Sequence, residues 1–288
     1  VALGEILALA SALAWAVGVV LYRRLGETLP PLALNFLKNL LVLGFVLPTV
    51  PLLHGLAWPT LSSGELLTCL LSGVLGIALA DTLYFRALNR LGASRAGVIG
   101  NFYSPFVIVL SYLFLAERLA PVQIAGFLLV SVGVFLVGRP ERNGEGSGDL
   151  AAVLTGALAI FLMAAAIVMV KRILEAEPLL WIVLLRLLGG ILGMLLIFAF
   201  TGFPRALGAA RIRWSLLLPA AFVGQYLSMI FWLGGYKYTQ ASVAAILNES
   251  SSVFIVLLAW LLLGERLSTL TAVGVVLSLA GIACMLLA

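Results

Sequence analysis

The chain has 288 residues, of which 63% are hydrophobic and only 10% charged. Soluble domains run at about half apolar and about a quarter charged, so lipid must be the solvent for most of this chain. The formal charge of +5 is spread over single or paired Lys and Arg set between apolar runs, which is the pattern of membrane loops and excludes a nucleic-acid-binding stripe.

Ten runs are long enough to cross about 30 Å of hydrocarbon. In chain order, spans 1 to 10 cover 4–22, 32–53, 66–88, 94–115, 121–138, 150–170, 179–201, 214–236, 242–263 and 270–287. Span 1 carries Glu5 and lacks a basic leader and a small-residue cleavage site, so it reads as a retained helix rather than a signal peptide. It places Trp15 on one face with Ser11 and Gly18. Span 2 holds Lys38, and span 3 puts Asp81 and Tyr84 on one face. Span 4 aligns Gly97, Asn101, Ser104 and Pro105 at helical spacing.

The stretch from Arg139 to Asp149 is rich in Gly and charge and reads as a flexible linker. It divides the chain into 1–138 and 150–288 with 139–149 between them. Span 7 carries Arg186 and a Gly189/Gly193 spacing that favours close helix packing. Span 8 presents Gln225, Met229, Trp232 and Tyr236, and span 9 presents Asn248, Glu249 and Ser252.

A shift of 148 residues superimposes the two halves: Pro30 falls on Pro178, Lys38 on Arg186, Ala93-Ser94 on Ala241-Ser242, Ser104 on Ser252, and Glu117-Arg118-Leu119 on Glu265-Arg266-Leu267. Gly126 and Gly133 fall on Gly274 and Gly281 in the same register. Five spans per half is an odd number, so the second copy must enter the membrane in the opposite orientation. The expected fold is an all-α membrane protein of ten transmembrane helices, built as two inverted-topology five-helix repeats. That is the architecture of secondary transporters, with a site near the midplane between the repeats.

Two five-helix halves, each with a basic residue early in its second helix, resemble EamA-type members of the drug/metabolite transporter superfamily. So does Gly264-Glu265-Arg266-Leu267 followed by Gly274 and Gly281, echoed as Ala116-Glu117-Arg118-Leu119, Gly126 and Gly133. The resemblance implies a ten-helix exporter of small metabolites with a central cavity lined by spans 1, 3, 4, 6, 8 and 9. The aromatic residues look most like the amino-acid (aromatic amino acid) exporter branch. A multi-pass location in a bacterial inner (cytoplasmic) membrane is expected. An even span number puts both termini on one side: the Lys and Arg count places them outside, the resemblance inside.

Polar residues within spans usually face a cavity or a partner. The expected substrate-binding set is Trp15, Tyr84, Asn101, Ser104, Trp232, Asn248, Glu249 and Ser252. The alternative for Asn, Ser and Glu is packing between helices, and for the aromatics an interfacial belt. Lys38, Asp81, Arg186 and Glu249 are the expected charge or proton carriers, with anchoring at an interface as the other reading of the two cations. No catalytic motif and no metal-ligand cluster is present, the single histidine His54 falls in an expected loop, and Cys69 and Cys284 are isolated in apolar runs. The expected function is export of small amphipathic metabolites such as amino acids by alternating access, driven by the solute gradient, an exchanged solute or protons carried by Asp81 and Glu249, with no cofactor, and the lipid bilayer and a small solute as partners. The alternatives are a phosphorylated-sugar or nucleotide-sugar antiporter of the same superfamily, or a receptor or scaffold that transports nothing.

Overall fold

With no water in hydrocarbon, each backbone N–H and C=O must be paired inside its own segment, and the apolar runs accordingly fold as helices. The computed structural model describes residues 3–26, 28–54, 59–137, 150–202, 212–254, 257–258 and 269–287, with backbone alone at a few of these, 88–89 and 92–98 among them. The 139–149 linker and the second Glu-Arg-Leu at 265–267 lie outside the described residues. Span 1 is Leu3–Leu25, span 2 Pro31–His54, span 6 Leu150–Ala176 and span 7 Leu179–Thr201. Spans 5 and 10 are the shorter helices Pro121–Val137 and Thr269–Leu286. His54 is the last residue of a helix rather than part of a loop.

Span 3 starts at Ser63, three residues before its expected limit. A capping box accounts for this: the Glu65 N–H donates to Ser62 Oγ at 3.3 Å while Glu65 Oε2 accepts from the Ser62 N–H at 2.8 Å. These bonds satisfy end groups that would otherwise be orphaned, so the helix begins earlier than hydropathy indicates.

The interior irregularities are duplicated along with the sequence. Span 3 changes to π-helix over Val74–Ala80 before continuing as Asp81–Gly100, and span 8 does so over Phe222–Leu227 between Trp214–Ala221 and Ser228–Tyr238. Spans 4 and 9 are interrupted by turns at Asn101-Phe102 and Glu249-Ser250. Both pairs match at the 148-residue shift. Span 4 resumes as Tyr103–Leu115, and span 9 runs Ala241–Asn248 before its turn. In the turn of span 9, Glu249 N–H bonds Ile246 O at 3.1 Å and Ser250 N–H bonds Leu247 O at 3.2 Å, a tightening from α to 3₁₀ geometry.

Helical backbone is unbroken from Asp81 to Gly100, where the sequence predicts a gap between spans 3 and 4. It nevertheless turns back. A Cβ placed on Gly156 would lie 3.3 Å from Ile99 and 3.4 Å from Ala87, two residues that a straight helix would hold about 18 Å apart. The reversal therefore falls between them.

Packing between the halves displays the two-fold directly. Span 5 crosses span 10, span 4 meets span 9, span 1 packs on span 8 and span 6 on span 3. Gly126 faces Gly281 and Met285, whereas Gly133 faces Gly274 and Ser278. Residue numbers rise on one helix as they fall on the other, so the equivalent fifth helices run antiparallel and the repeats are inverted. Gly18 of span 1 touches Gly224 in the second π-segment, and the repeat equivalents Ala166 and Gly76 also touch.

The span 5–span 10 crossing depends on the absence of side chains. A Cβ on Gly133 would lie 2.3 Å from Ser278 Oγ and 2.5 Å from Gly274 O, whereas one on Gly44 would meet nothing within 4 Å. Gly133→Ala is expected to lower stability by about 1–3 kcal/mol through overpacking. Gly44→Ala should be neutral or stabilising by up to about 1 kcal/mol through helix propensity. Equilibrium unfolding of the purified protein in detergent checks both.

Candidate substrate site

Two polar centres form within the spans, one built around each of the equivalent cations. In the first, Lys38 on span 2 is fully buried and its Nζ lies 3.1 Å from Asp81 Oδ2 on span 3. The ammonium also lies 5.6 Å from the Tyr22 ring centre and 5.3 Å from that of Phe85, distances at which the ring quadrupole attracts a cation. Trp15 lies 6.3 Å from Tyr22, and Tyr84 the same distance from Phe85. Trp15 and Tyr84 thus each stand one ring behind the two rings that face the ammonium.

One turn N-terminal of Lys38, Asn35 donates from Nδ2 to the Ile77 carbonyl at 2.8 Å and to Thr82 Oγ1 at 3.2 Å. Ile77 is in the first π-segment, where the change of winding disturbs the regular backbone ladder. A buried side-chain amide supplies a partner there, as the low-dielectric interior requires. The equivalent position in the second half is Val183, so the halves satisfy their π-segments differently. In the second half, Tyr22 donates to Ala220 O at 2.7 Å, and Ser11 Oγ to Ser228 O at 3.1 Å.

In the second centre, buried Arg186 on span 7 donates from Nη1 to Ser72 Oγ and to Ala166 O, the latter at 3.1 Å. Its Cζ is 5.7 Å from the centre of the Trp232 ring. Trp232 meets Tyr236 edge to face at 5.2 Å, and the Tyr236 and Tyr103 hydroxyls share a hydrogen bond of 2.8 Å. Beside Tyr103, Ser104 Oγ donates to Glu249 Oε1. Arg186 Nε and Glu249 Oε2 are both buried, and neither has a hydrogen-bond partner among the described residues. The centre therefore has a guanidinium with donor capacity left, a carboxyl group with acceptor capacity left, and three aromatic rings in the same cluster.

The second centre sits at the broken helices: Tyr103 and Ser104 directly follow the turn of span 4, and Glu249 forms the turn of span 9. Asn101 lies in the span 4 turn itself. Asn248 donates from Nδ2 to Ala244 O at 2.8 Å, one turn back on its own helix. Ser252 N–H bonds Glu249 O at 3.1 Å and so helps to shape the turn. Ser104 and Glu249, which align with Ser252 and Asn101 in the repeat, meet across the two-fold. Gly189 and Gly193 pack against Leu70 and Ala78 of span 3.

Tyr103, Ser72, Tyr22, Phe85 and Asn35 also belong to these centres, although sequence reasoning does not select them. A signal for Asn35 was available, because Asn35, Lys38 and Asn39 stand at i, i+3 and i+4 on an otherwise apolar helix. Tyr103 adjoins a selected serine but carries no pattern of its own.

Comparison with known proteins gives a consistent result. The model of the EamA-like transporter family matches the chain twice, over residues 2–139 and 150–287. An uncharacterized transporter of Archaeoglobus fulgidus is 23% identical over 282 residues, 98% of this chain and 97% of its own length. An uncharacterized transporter of Clostridium kluyveri is 23% identical over 214 residues, 73% of this chain and 69% of its own. A protein of known crystal structure, 19% identical, superimposes over 99% of this chain and 96% of its own with a TM-score of 0.79, so the fold is shared.

The ion pair of the first centre can be tested by mutation. Lys38→Met leaves Asp81 without its cation, and breaking a buried pair costs about 3–5 kcal/mol. Lys38→Met combined with Asp81→Asn removes both charges and is expected to recover at least half of that loss. A double-mutant cycle from chemical unfolding reads the coupling directly; strictly additive losses would mean that the two side chains do not act as a pair.

Proposed function

The chain belongs to the EamA-like transporter family, and on that premise we propose that it carries small amphipathic metabolites, amino acids among them, through the second centre by alternating access. It is a multi-pass integral membrane transporter, not an enzyme, and its partners are the bilayer and a small solute. Export of amino acids, rather than of some other solute, is the specific reading.

The observation that carries it is that, of the six buried side-chain polar atoms without a hydrogen-bond partner among the described residues, two belong to charge-bearing groups, Arg186 Nε and Glu249 Oε2, and both lie in this centre. An amino acid offers a carboxylate for the guanidinium and an ammonium for the glutamate. Trp232, Tyr236 and Tyr103 supply flat apolar area and ring faces for its remainder. Asn101, Ser104, Asn248 and Ser252 surround the same two turns, consistent with discontinuous helices supplying the binding groups. Trp15 and Tyr84 belong to the wall around Lys38 and Asp81, further along the proposed path.

The sequence contains no phosphate-binding loop for ATP, so the solute gradient, an exchanged solute or protons supply the driving force. Of the candidate proton carriers, Asp81 is held by Lys38, and Glu249 by a single serine. Glu249 is therefore the better placed to exchange a proton with each cycle.

Flux of radiolabelled amino acids into proteoliposomes tests the proposal. Measurable uptake is expected, falling about 10- to 100-fold in Arg186→Gln, the effect of one lost charge-assisted hydrogen bond set. Trp232→Ala should weaken uptake of aromatic amino acids more than that of alanine. No amino-acid flux together with robust exchange of a phosphorylated sugar would move the protein to the antiporter reading.

A further inference from the structure

We propose that the Glu117 carboxylate latches the two halves together at the membrane face where span 1 starts and span 10 ends, here the terminal face, and that its release opens that face. The inference rests on the alternating-access reading above. Glu117 stands in the corner between spans 4 and 5, yet the helix it caps is span 9 of the other half. Oε1 accepts from the Ala241 N–H at 2.9 Å, and Oε2 accepts from the Ser242 N–H at 3.1 Å and the Ser242 hydroxyl at 3.0 Å. A carboxylate placed there also meets the positive end of the helix macrodipole.

The position identifies the face. The start of span 1 lies at the same end, since a Cβ on Gly4 would lie 2.6 Å from Tyr238 C and 2.7 Å from Thr239 N. The end of span 10 lies there too, with Met285 against Gly126 near the start of span 5. A second contact joins the halves beside the latch, from Arg172 Nη2 on span 6 to Phe114 O at the end of span 4, 3.1 Å. By contrast, Lys237 Nζ holds Leu174 O, Glu175 O and Glu177 O at 2.6, 3.0 and 2.7 Å entirely within the second half. The first two contacts must break when the halves separate, and the Lys237 contacts need not.

Two features make this seam a latch rather than a permanent joint. It is polar and borders a cleft of about 230 Å³ lined by Leu115, Glu117, Lys171, Arg172, Glu175 and Gln240, so water can replace each bond as it opens. It is also connected to the substrate site. The helix it caps is only the eight residues Ala241–Asn248, about 12 Å long, and the turn containing Glu249 follows at once. Ala241, Ala245 and Glu249 run along one side of this short rod at i, i+4 and i+8. Displacement at Glu117 is thereby carried to the carboxyl group of the site. The sequence repeats both partners as Glu265 and Ala93-Ser94, whose side chains lie outside the described residues.

The test uses the full chain in proteoliposomes, with Cys69 and Cys284 replaced by alanine and a reporter cysteine at Ala245, which is fully buried between latch and site. A membrane-impermeant maleimide is applied to each face in turn. Adding Glu117→Gln is expected to raise labelling from the terminal face about tenfold and not from the opposite face. Unchanged labelling, or equal acceleration from both faces with a lowered melting temperature, would reduce Glu117 to a structural cap and overturn the proposal. Should that variant fail to insert, Ser242→Ala removes only one of the three bonds, and a rise of about threefold at the terminal face is expected; no rise overturns the latch. Labelling needs no transported solute, so a responsive reporter in a protein without amino-acid flux would sink the amino-acid reading and leave the latch standing.

Discussion

A polar atom without a partner has nowhere to go in hydrocarbon. That constraint shapes this molecule from the backbone to the site. It folds the apolar runs into helices, and it recruits Asn35 to the Ile77 carbonyl within the first π-segment and Ser11 to the Ser228 carbonyl just after the second. It also brings Lys38 to Asp81 and Ser104 to Glu249. Among the described residues the constraint is left unmet at six side-chain atoms, and the two that belong to ionisable groups, Arg186 Nε and Glu249 Oε2, are the ones on which the proposed solute site rests.

The inverted repeat adds a second layer. Two departures from regular helix occur twice among the described residues, once per half: the π-segments at 74–80 and 222–227 and the turns at 101–102 and 249–250. Yet the chemistry around them has diverged. Lys38 has a carboxylate partner, whereas its equivalent Arg186 has a serine and a carbonyl. The position equivalent to Asp81 is Met229, and that equivalent to Asn101 is Glu249. A duplicated frame with unlike charges thus surrounds its two equivalent cations with different partners, which is how a two-fold scaffold can hold two centres that are not themselves alike.

Small residues let this frame close. Spans 5 and 10 cross at glycines drawn from the same two repeat positions, and Gly18 meets Gly224 where a side chain on either would collide with backbone. Close approach matters more in lipid than in water, because helix association there gains little from the hydrophobic effect and depends on contact. The same crossings put spans 4 and 9 side by side, and with them Tyr103, Ser104 and Glu249.

Much of the fold was legible in the chain itself. Hydropathy determined the ten spans, and the 148-residue repeat, being odd in helices per half, determined their inversion. The site was legible only as a set of candidates. Asn101, Ser104, Trp232, Asn248, Glu249 and Ser252 collect at or beside the two helix breaks, while Trp15 and Tyr84 fall in the wall of the other centre. Tyr103 was invisible because an aromatic residue in an apolar helix carries no periodic signal. Glu117 stood out in the repeated Glu-Arg-Leu at a helix corner, but the helix it caps did not, because the first residues of that helix lie 124 and 125 residues away. Composition and periodicity are local quantities, and they settle what solvent a segment needs and which face it buries. Which orphaned donor meets which acceptor depends on how helices cross, and only the tertiary structure decided that.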